Sequence, residues 1–411
     1  MMSLEQTTSG EPPQFLLLLP PAPESATAAA LKAAFSETIS EVLKEVALHS
    51  AESEKAAVLE IALACSHLVG YRNKSRTSLY AQTQTLLAAV YKLITVSAAQ
   101  ENINIEDADG VDVRVLLVAW SSEGDEEPPS STPYGPIVDL ASLAKSGRTW
   151  QFAFGVESDE GEKLVRQFVT AKGSTDDLDR VPSGPVANSQ NSGNTSVTSG
   201  QGSQNHDLHY DVAVGGTWDH LHIGHKLLIT MTIFLVDERK ASEERSAVIG
   251  ITGDKLLVNK KHATLVESWP DRQRAVATFF NALIDFSSPA SSAGHRHVSI
   301  RDDPVVNGKS VDVHYPNGLI VKCTEIQDPF GPTITEEQIS ALVISAETRS
   351  GGKAVNDKRK EQSWKELDVF EVDVLDAEDE SGGEGVKEGF DSKISSTAIR
   401  EKLARKAGEK L

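Results

Sequence analysis

The stretch Val214–Leu228 reads VGGTWDHLHIGHKLL. Gly215, Gly216 and Thr217 follow an apolar run, and His222 and His225 stand three residues apart across Gly224. Glycines at the end of a strand let an anionic group approach the backbone, and a helix start beyond them offers free N–H groups and the positive end of a dipole. His222 falls just before such a helix and His225 in its first turn, where either imidazole can donate to a phosphoryl oxygen. Zinc is a competing reading, but a helical zinc pair is His-Glu-x-x-His at i, i+4. The spacing here is i, i+3, and no third ligand is close in sequence. A purely structural pair is the remaining reading, and the Gly-Gly-Thr before it argues against that. Far downstream, Ser395, Ser396 and Thr397 precede a helical pattern that carries Arg400 one turn on. Alone they read as an N-cap. Beside a phosphate-binding turn, their hydroxyls and N–H groups suit phosphates.

The elements around these residues alternate. Strands are expected at 14–19, 111–120, 149–156, 210–216, 246–252, 318–326, 341–348 and 369–375, where short β-rich or apolar runs occur. Helices are expected at 25–48, 51–69, 77–99, 223–238, 269–286 and 396–407 from apolar spacing near 3.6. Alternation of this kind predicts an α/β fold: a Rossmann-like doubly wound parallel sheet with a separate N-terminal α/β domain. Two polar insertions, about 287–317 and 376–391, are expected on the surface. Residues 183–205 are Ser, Gly, Asn, Gln and Thr-rich without a charge or an aromatic residue. Such composition cannot bury enough apolar area to offset its ordering entropy. The expected division is an N-terminal α/β domain over 1–175, a linker over 176–207 and a second domain over 208–411.

The chain has 411 residues and a net charge of −20. An acidic surface disfavours nucleic acid and anionic membranes as partners, so any anion site must gather positive charge locally. Two cysteines, Cys65 and Cys323, are too few for a disulfide framework or a Cys-based zinc site. The Phe15–Leu19 run is too short for a signal peptide and lacks a basic flank, and no run approaches a membrane span. A cytoplasmic protein is expected.

The His222-Ile223-Gly224-His225 stretch resembles the HxGH signature of class I nucleotidyltransferases, and ISSTAIR (394–400) resembles their C-terminal ISSTxxR motif. The wider VGGTWDHLHIGHK is similar to the phosphopantetheine adenylyltransferase signature, with Trp218 where that family usually has Phe. Segments 328–333 (DPFGPT), 342–359 and 253–257 (GDKLL) resemble the eukaryotic and archaeal branch, and the arrangement of halves resembles the fungal type. The resemblance covers about 208–411. It implies transfer of AMP from ATP to 4′-phosphopantetheine in coenzyme A biosynthesis, giving dephospho-CoA and pyrophosphate. It also implies roles: His225 on the transition-state phosphoryl oxygens, Thr217 on the attacking phosphate, and Lys260 or Lys261 as the mobile lysine. Gly216, His222, Gly224, Asn356, Arg359, Ser395, Ser396, Thr397 and Arg400 are the further ATP-binding candidates. Asp219 is assigned a local structural role. Magnesium is expected to arrive with ATP, and no metal is expected to be held by the chain's own residues. Gly308-Lys309-Ser310 lacks the first P-loop glycine, Asp303 standing in its place, so no dephospho-CoA kinase activity is expected. The N-terminal half carries no catalytic motif, and a regulatory role or contact with other CoA-pathway enzymes is expected of it. The rival readings are another HxGH enzyme, a cytidylyltransferase or nicotinamide mononucleotide adenylyltransferase, and a nucleotide-binding scaffold without turnover.

Overall fold

The computed structural model describes residues 12–23, 27–51, 56–105, 110–123, 132–173, 178–184, 207–240, 242–288, 294–373 and 395–408. The first half runs β1 (Gln14–Leu19), α1 (Ala28–Ala51), β2 (Val58–Cys65), α2 (Arg76–Gln100), β3 (Asp112–Ala119) and β4 (Ile137–Asp139). It continues with α3 (Leu140–Ala144), β5 (Phe152–Glu157), α4 (Asp159–Lys172) and β6 (Asp179–Pro182). These strands form one six-stranded sheet in the order β4-β3-β2-β1-β5-β6, parallel at every pairing.

Residues 51–69 do not form the expected helix: Val58–Cys65 is β2, buried at all eight positions. A strand covered on both faces reads as an unbroken apolar run, which period alone cannot separate from a buried helix. The helix α4 was absent from the sequence expectations. Its capping signals are nonetheless plain: Ser158 accepts from the Gly161 N–H at 3.0 Å, and Gly173 closes the helix at φ 70. The strand β6 lies inside the range 176–207 expected to be a linker, and 185–206 falls outside the described residues.

The second half runs β7 (Asp211–Gly216), α5 (Ile223–Leu235), β8 (Arg245–Thr252), α6 (Trp269–Ile284), β9 (His297–Asp302), β10 (Lys309–His314) and β11 (Leu319–Ile326). Then come β12 (Ala341–Ser345), α7 (Arg349–Glu361), β13 (Asp368–Val372) and α8 (Ser396–Gly408). The seven strands are ordered β13-β12-β7-β8-β11-β10-β9. The five from β13 to β11 are parallel, and β10 and β9 add an antiparallel edge. The 287–317 insertion extends the sheet by two strands, the outer of which, β9, is exposed along most of its length as expected of a surface segment, while 376–391 falls outside the described residues. The expected strand at 341–348 stops at Ser345, and a short 3₁₀ turn leads into α7.

The strand order reverses between β7 and β12, and ligands of parallel α/β sheets bind at such a reversal, beyond the strands' carboxyl ends. The two strands pair at only two positions, Ala341 with Val212 and Leu342 with Ala213. Beyond those the strands separate. The halves share one cluster of buried apolar residues, which includes Leu17 and Tyr91 from the first and Leu227, Ile229 and Phe280 from the second. Helices α2 and α5 pack on each other across this junction. The N–H groups of Arg76 and His209 both donate to Asp237, each at 2.8 Å.

Candidate active site

Where β7 and β12 part, a cavity of about 290 Å³ opens. Its lining includes Gly215–Trp218 after β7, His222, Gly224 and His225 at the start of α5, and Lys260. Ser345, Glu347 and Thr348 after β12, Asp373 after β13, and Ser395–Thr397 with Arg400 at α8 complete it. Two motifs far apart in sequence thus meet on one cavity.

The turn between β7 and α5 is held tightly. Trp218 and His220 adopt left-handed backbone, at φ 57 and 48, which costs energy for residues with a Cβ. Three sets of contacts fix the turn. The Trp218 indole N–H donates to Gly250 O at 2.8 Å, and the His220 N–H donates to Glu267 at 2.7 Å. Arg272 of α6 is fully buried and donates to the carbonyls of Thr217 (2.5 Å), Thr252 (2.8 Å) and Glu267 (2.9 Å) and to Asp254 (2.7 Å). Asp219 accepts from the Glu267 N–H at 2.8 Å and pairs with Arg400. A Cβ on Gly216 would stand 2.8 Å from the Trp218 ring, so only glycine fits there without displacing the indole.

His222 is the N-cap of α5 and makes no side-chain cap bond, leaving the helix N–H groups to the cavity. The two imidazoles stack with centroids 3.8 Å apart, and Trp218 walls the outer side of His225 at 5.3 Å. The Nδ1 atoms of both histidines are buried and have no hydrogen-bond partner within the protein. Burial, with His225 and Lys226 nearby, holds His222 well below its ordinary value, and burial with His220 holds His225 at about 3. Both rings are therefore neutral at pH 7 and hold polar atoms that lack partners. A phosphate oxygen supplies such a partner.

The lysines separate. Lys260 lines the cavity, whereas the Lys261 ammonium pairs with Glu401 of α8. Ser395 caps α8, its Oγ accepting from the Ala398 N–H at 3.3 Å. Arg400 lines the cavity, but its donors go to Asp219, to Lys261 O and, at 3.2 Å, to Thr397 Oγ1. It is an anchor for the site before it is a charge within it. Asn356 and Arg359 do not line the cavity. Asn356 brackets Leu367 through its backbone N–H and O at 2.8 and 3.0 Å. Arg359 is buried and donates to the carbonyls of Thr333, Glu337, Ile339 and Lys365. Asp328 is likewise spent on the turn it begins, accepting from the Phe330 and Gly331 N–H groups. Arg272 and Asp373 escaped the sequence reading. Asp373 follows a strand end, a position that could have marked it. Arg272 falls on the same face of α6 as the buried Val276, Phe279 and Leu283, and a charge on that apolar stripe is the signal that could have marked it.

Among the described residues no three His, Cys, Asp or Glu side chains are placed to hold a metal ion, and no helix is long and apolar enough to cross a membrane. Cys65 and Cys323 are buried thiols, pushed up to about 12 by burial.

A parallel α/β sheet with a phosphate-suited turn at its reversal defines a Rossmann-like architecture. Comparison with known proteins narrows it. Residues 2–187 match a family model described as a domain of unknown function (DUF8446). An uncharacterized protein of Schizosaccharomyces pombe is 33% identical over 195 residues, 47% of this chain and 48% of that protein. A phosphopantetheine adenylyltransferase of Saccharomyces cerevisiae is 32% identical over 195 residues, 47% of this chain and 49% of its own length. Another protein of that name, from Methanothermobacter thermautotrophicus, is 28% identical over 189 residues, 46% of this chain and 82% of its own. The chain spans about half the length of the two fungal relatives it matches.

Proposed function

We propose that the chain transfers AMP from ATP to 4′-phosphopantetheine. The carrying observation is the stacked, neutral His222–His225 pair with orphaned nitrogens at the free start of α5, facing the Ser396 and Thr397 end of α8 across one cavity. Two helix N-termini converging on one space suit a triphosphate. The names of the relatives at about 30% identity support the choice of substrates.

In this reading a phosphate oxygen of 4′-phosphopantetheine attacks the α-phosphorus of ATP, a P–O bond forms in line, and the bond to the β-phosphate breaks to release pyrophosphate. The nucleophile is already ionised, so no general base is needed. The protein's part is positioning and stabilising charge. His225 donates to the α-phosphoryl oxygens, His222 and Gly224 border the phosphates, and Lys260 adds positive charge. Thr217 meets the attacking phosphate, with Gly216 leaving room for it, and Ser395–Thr397 receive the β- and γ-phosphates. Magnesium bound to ATP would withdraw charge from the phosphates, and no residue of the chain is assigned to hold it.

Incubating the purified chain with ATP, magnesium and 4′-phosphopantetheine should release pyrophosphate and dephospho-CoA in equal amounts. Release with nicotinamide mononucleotide, or with CTP and a phosphorylated alcohol, in place of that pair would overturn the acceptor assignment. ATP binding without turnover would leave only a scaffold.

A further inference from the structure

Lys226 follows His225 directly, in the first turn of α5. A cation there opposes the helix dipole, and this one is also buried. Its ammonium does not reach the cavity. It crosses to the other sheet, donating to Asp112 at 2.5 Å and to Val113 O at 2.9 Å, at the start of β3. Arg114 holds the second oxygen of the same carboxylate at 2.6 Å. Burial disfavours the Asp112 charge, but Lys226 and Arg114 outweigh it and keep the carboxyl well below its usual range. Around this link α2 packs on α5, and the apolar core runs through the junction.

We propose that Lys226 and Asp112 are a positioning pair through which the N-terminal sheet sets the His222–His225 turn. The pair touches neither ligand nor cavity. It fixes the azimuth of the first turn of α5, and a side chain one residue from His225 cannot move without carrying that imidazole with it. The N-terminal half is thereby a working part of the site. The kinetic side of this proposal rests on the adenylyl-transfer reading, and its structural side does not.

The test uses the full-length chain with Asp112→Asn, which keeps side-chain shape and removes the charge. Amide hydrogen exchange is read across both halves, alongside initial rates with ATP and 4′-phosphopantetheine. Exchange over 217–228 should quicken by about 10-fold or more while β1 and β2 stay unchanged. The kcat should fall on the order of 10- to 100-fold, with KM for ATP within about threefold of the parent. Lys226→Arg, which still reaches the carboxylate, should retain most of both properties. Unchanged exchange over 217–228, quickening spread evenly over both halves, or a change in KM alone would overturn the proposal. Should Asp112→Asn fail to fold, Lys226→Gln, which keeps a donor for Val113 O, is read in the same way. A parent chain inert toward both substrates would sink the reaction assignment and leave the exchange result to decide the positioning pair by itself.

Discussion

Asp219 and Arg400 form a buried ion pair that ties the loop before α5 to α8, with both side chains almost wholly out of water. The two motifs that line the cavity are therefore joined behind it as well as across it. Removing one member of a buried pair leaves the other charge without a partner. Asp219→Asn should lower unfolding free energy by about 3 kcal/mol, read from the shift of the urea midpoint at constant slope. A shift within the error of the measurement would mean that the pair contributes nothing net.

His225→Ala should reduce kcat on the order of 100-fold or more, as expected when one donor to a developing phosphoryl charge is lost. ATP affinity, measured by calorimetry, should change much less, because the α8 end and Lys260 remain. Wild-type turnover would reject His225 as the charge-stabilising donor.

The histidine pair also predicts a pH dependence. His225 titrates at about 3 when folded, against an ordinary 6.5, and His222 is depressed in the same direction. The unfolded chain therefore binds more protons as pH falls below 6.5, and the folded state loses stability over that interval. Above it the contribution is complete. Each ring should add a slope of up to about 1.4 kcal/mol per pH unit. Urea unfolding at pH 7, 6 and 5 should show the decline, and His225→Phe should flatten it. An identical slope in the variant would assign the decline to other groups.

Lys260 and Lys261 are adjacent but differently employed, one lining the cavity and the other held by Glu401. Lys260→Ala should lower kcat/KM by about 10-fold or more. Lys261→Ala should change it little, since an exposed ion pair contributes under about 1 kcal/mol. Parallel initial-rate measurements on the two variants decide between them; the reverse order would reassign the phosphate contact.

Where period and punctuation agreed, the sequence revealed the fold: β7, α5, β8 and α6 fall close to their expected bounds. The failures have distinct causes. The apolar run of β2 carries no alternation because both its faces are covered. Strands β9 and β10 form a sheet edge, and β9 is exposed along most of its length, so their composition resembles a loop. The paired glycines Gly351 and Gly352 hid α7, where Gly352 lies close to Ile344 and Val369. At the site, the residues of the two motifs line one cavity. Asn356 and Arg359 lie away from the cavity, and a polar side chain in a motif does not reveal whether it faces a ligand or a backbone carbonyl. Arg272 and Lys226 show the same ambiguity from the other side. Both are buried, and their long polar side chains turn inward.

The two-position pairing of β7 with β12 has a thermodynamic corollary. A cleft made by strands that part company exists before anything enters it. The cost of keeping the strands apart is met once, when the chain folds, and not again at each binding event. Affinity at such a mouth is then governed by the desolvation of the rim and of whatever enters, so lengthening the β7–β12 ladder by a single pair would narrow the entrance without replacing any residue that lines the cavity.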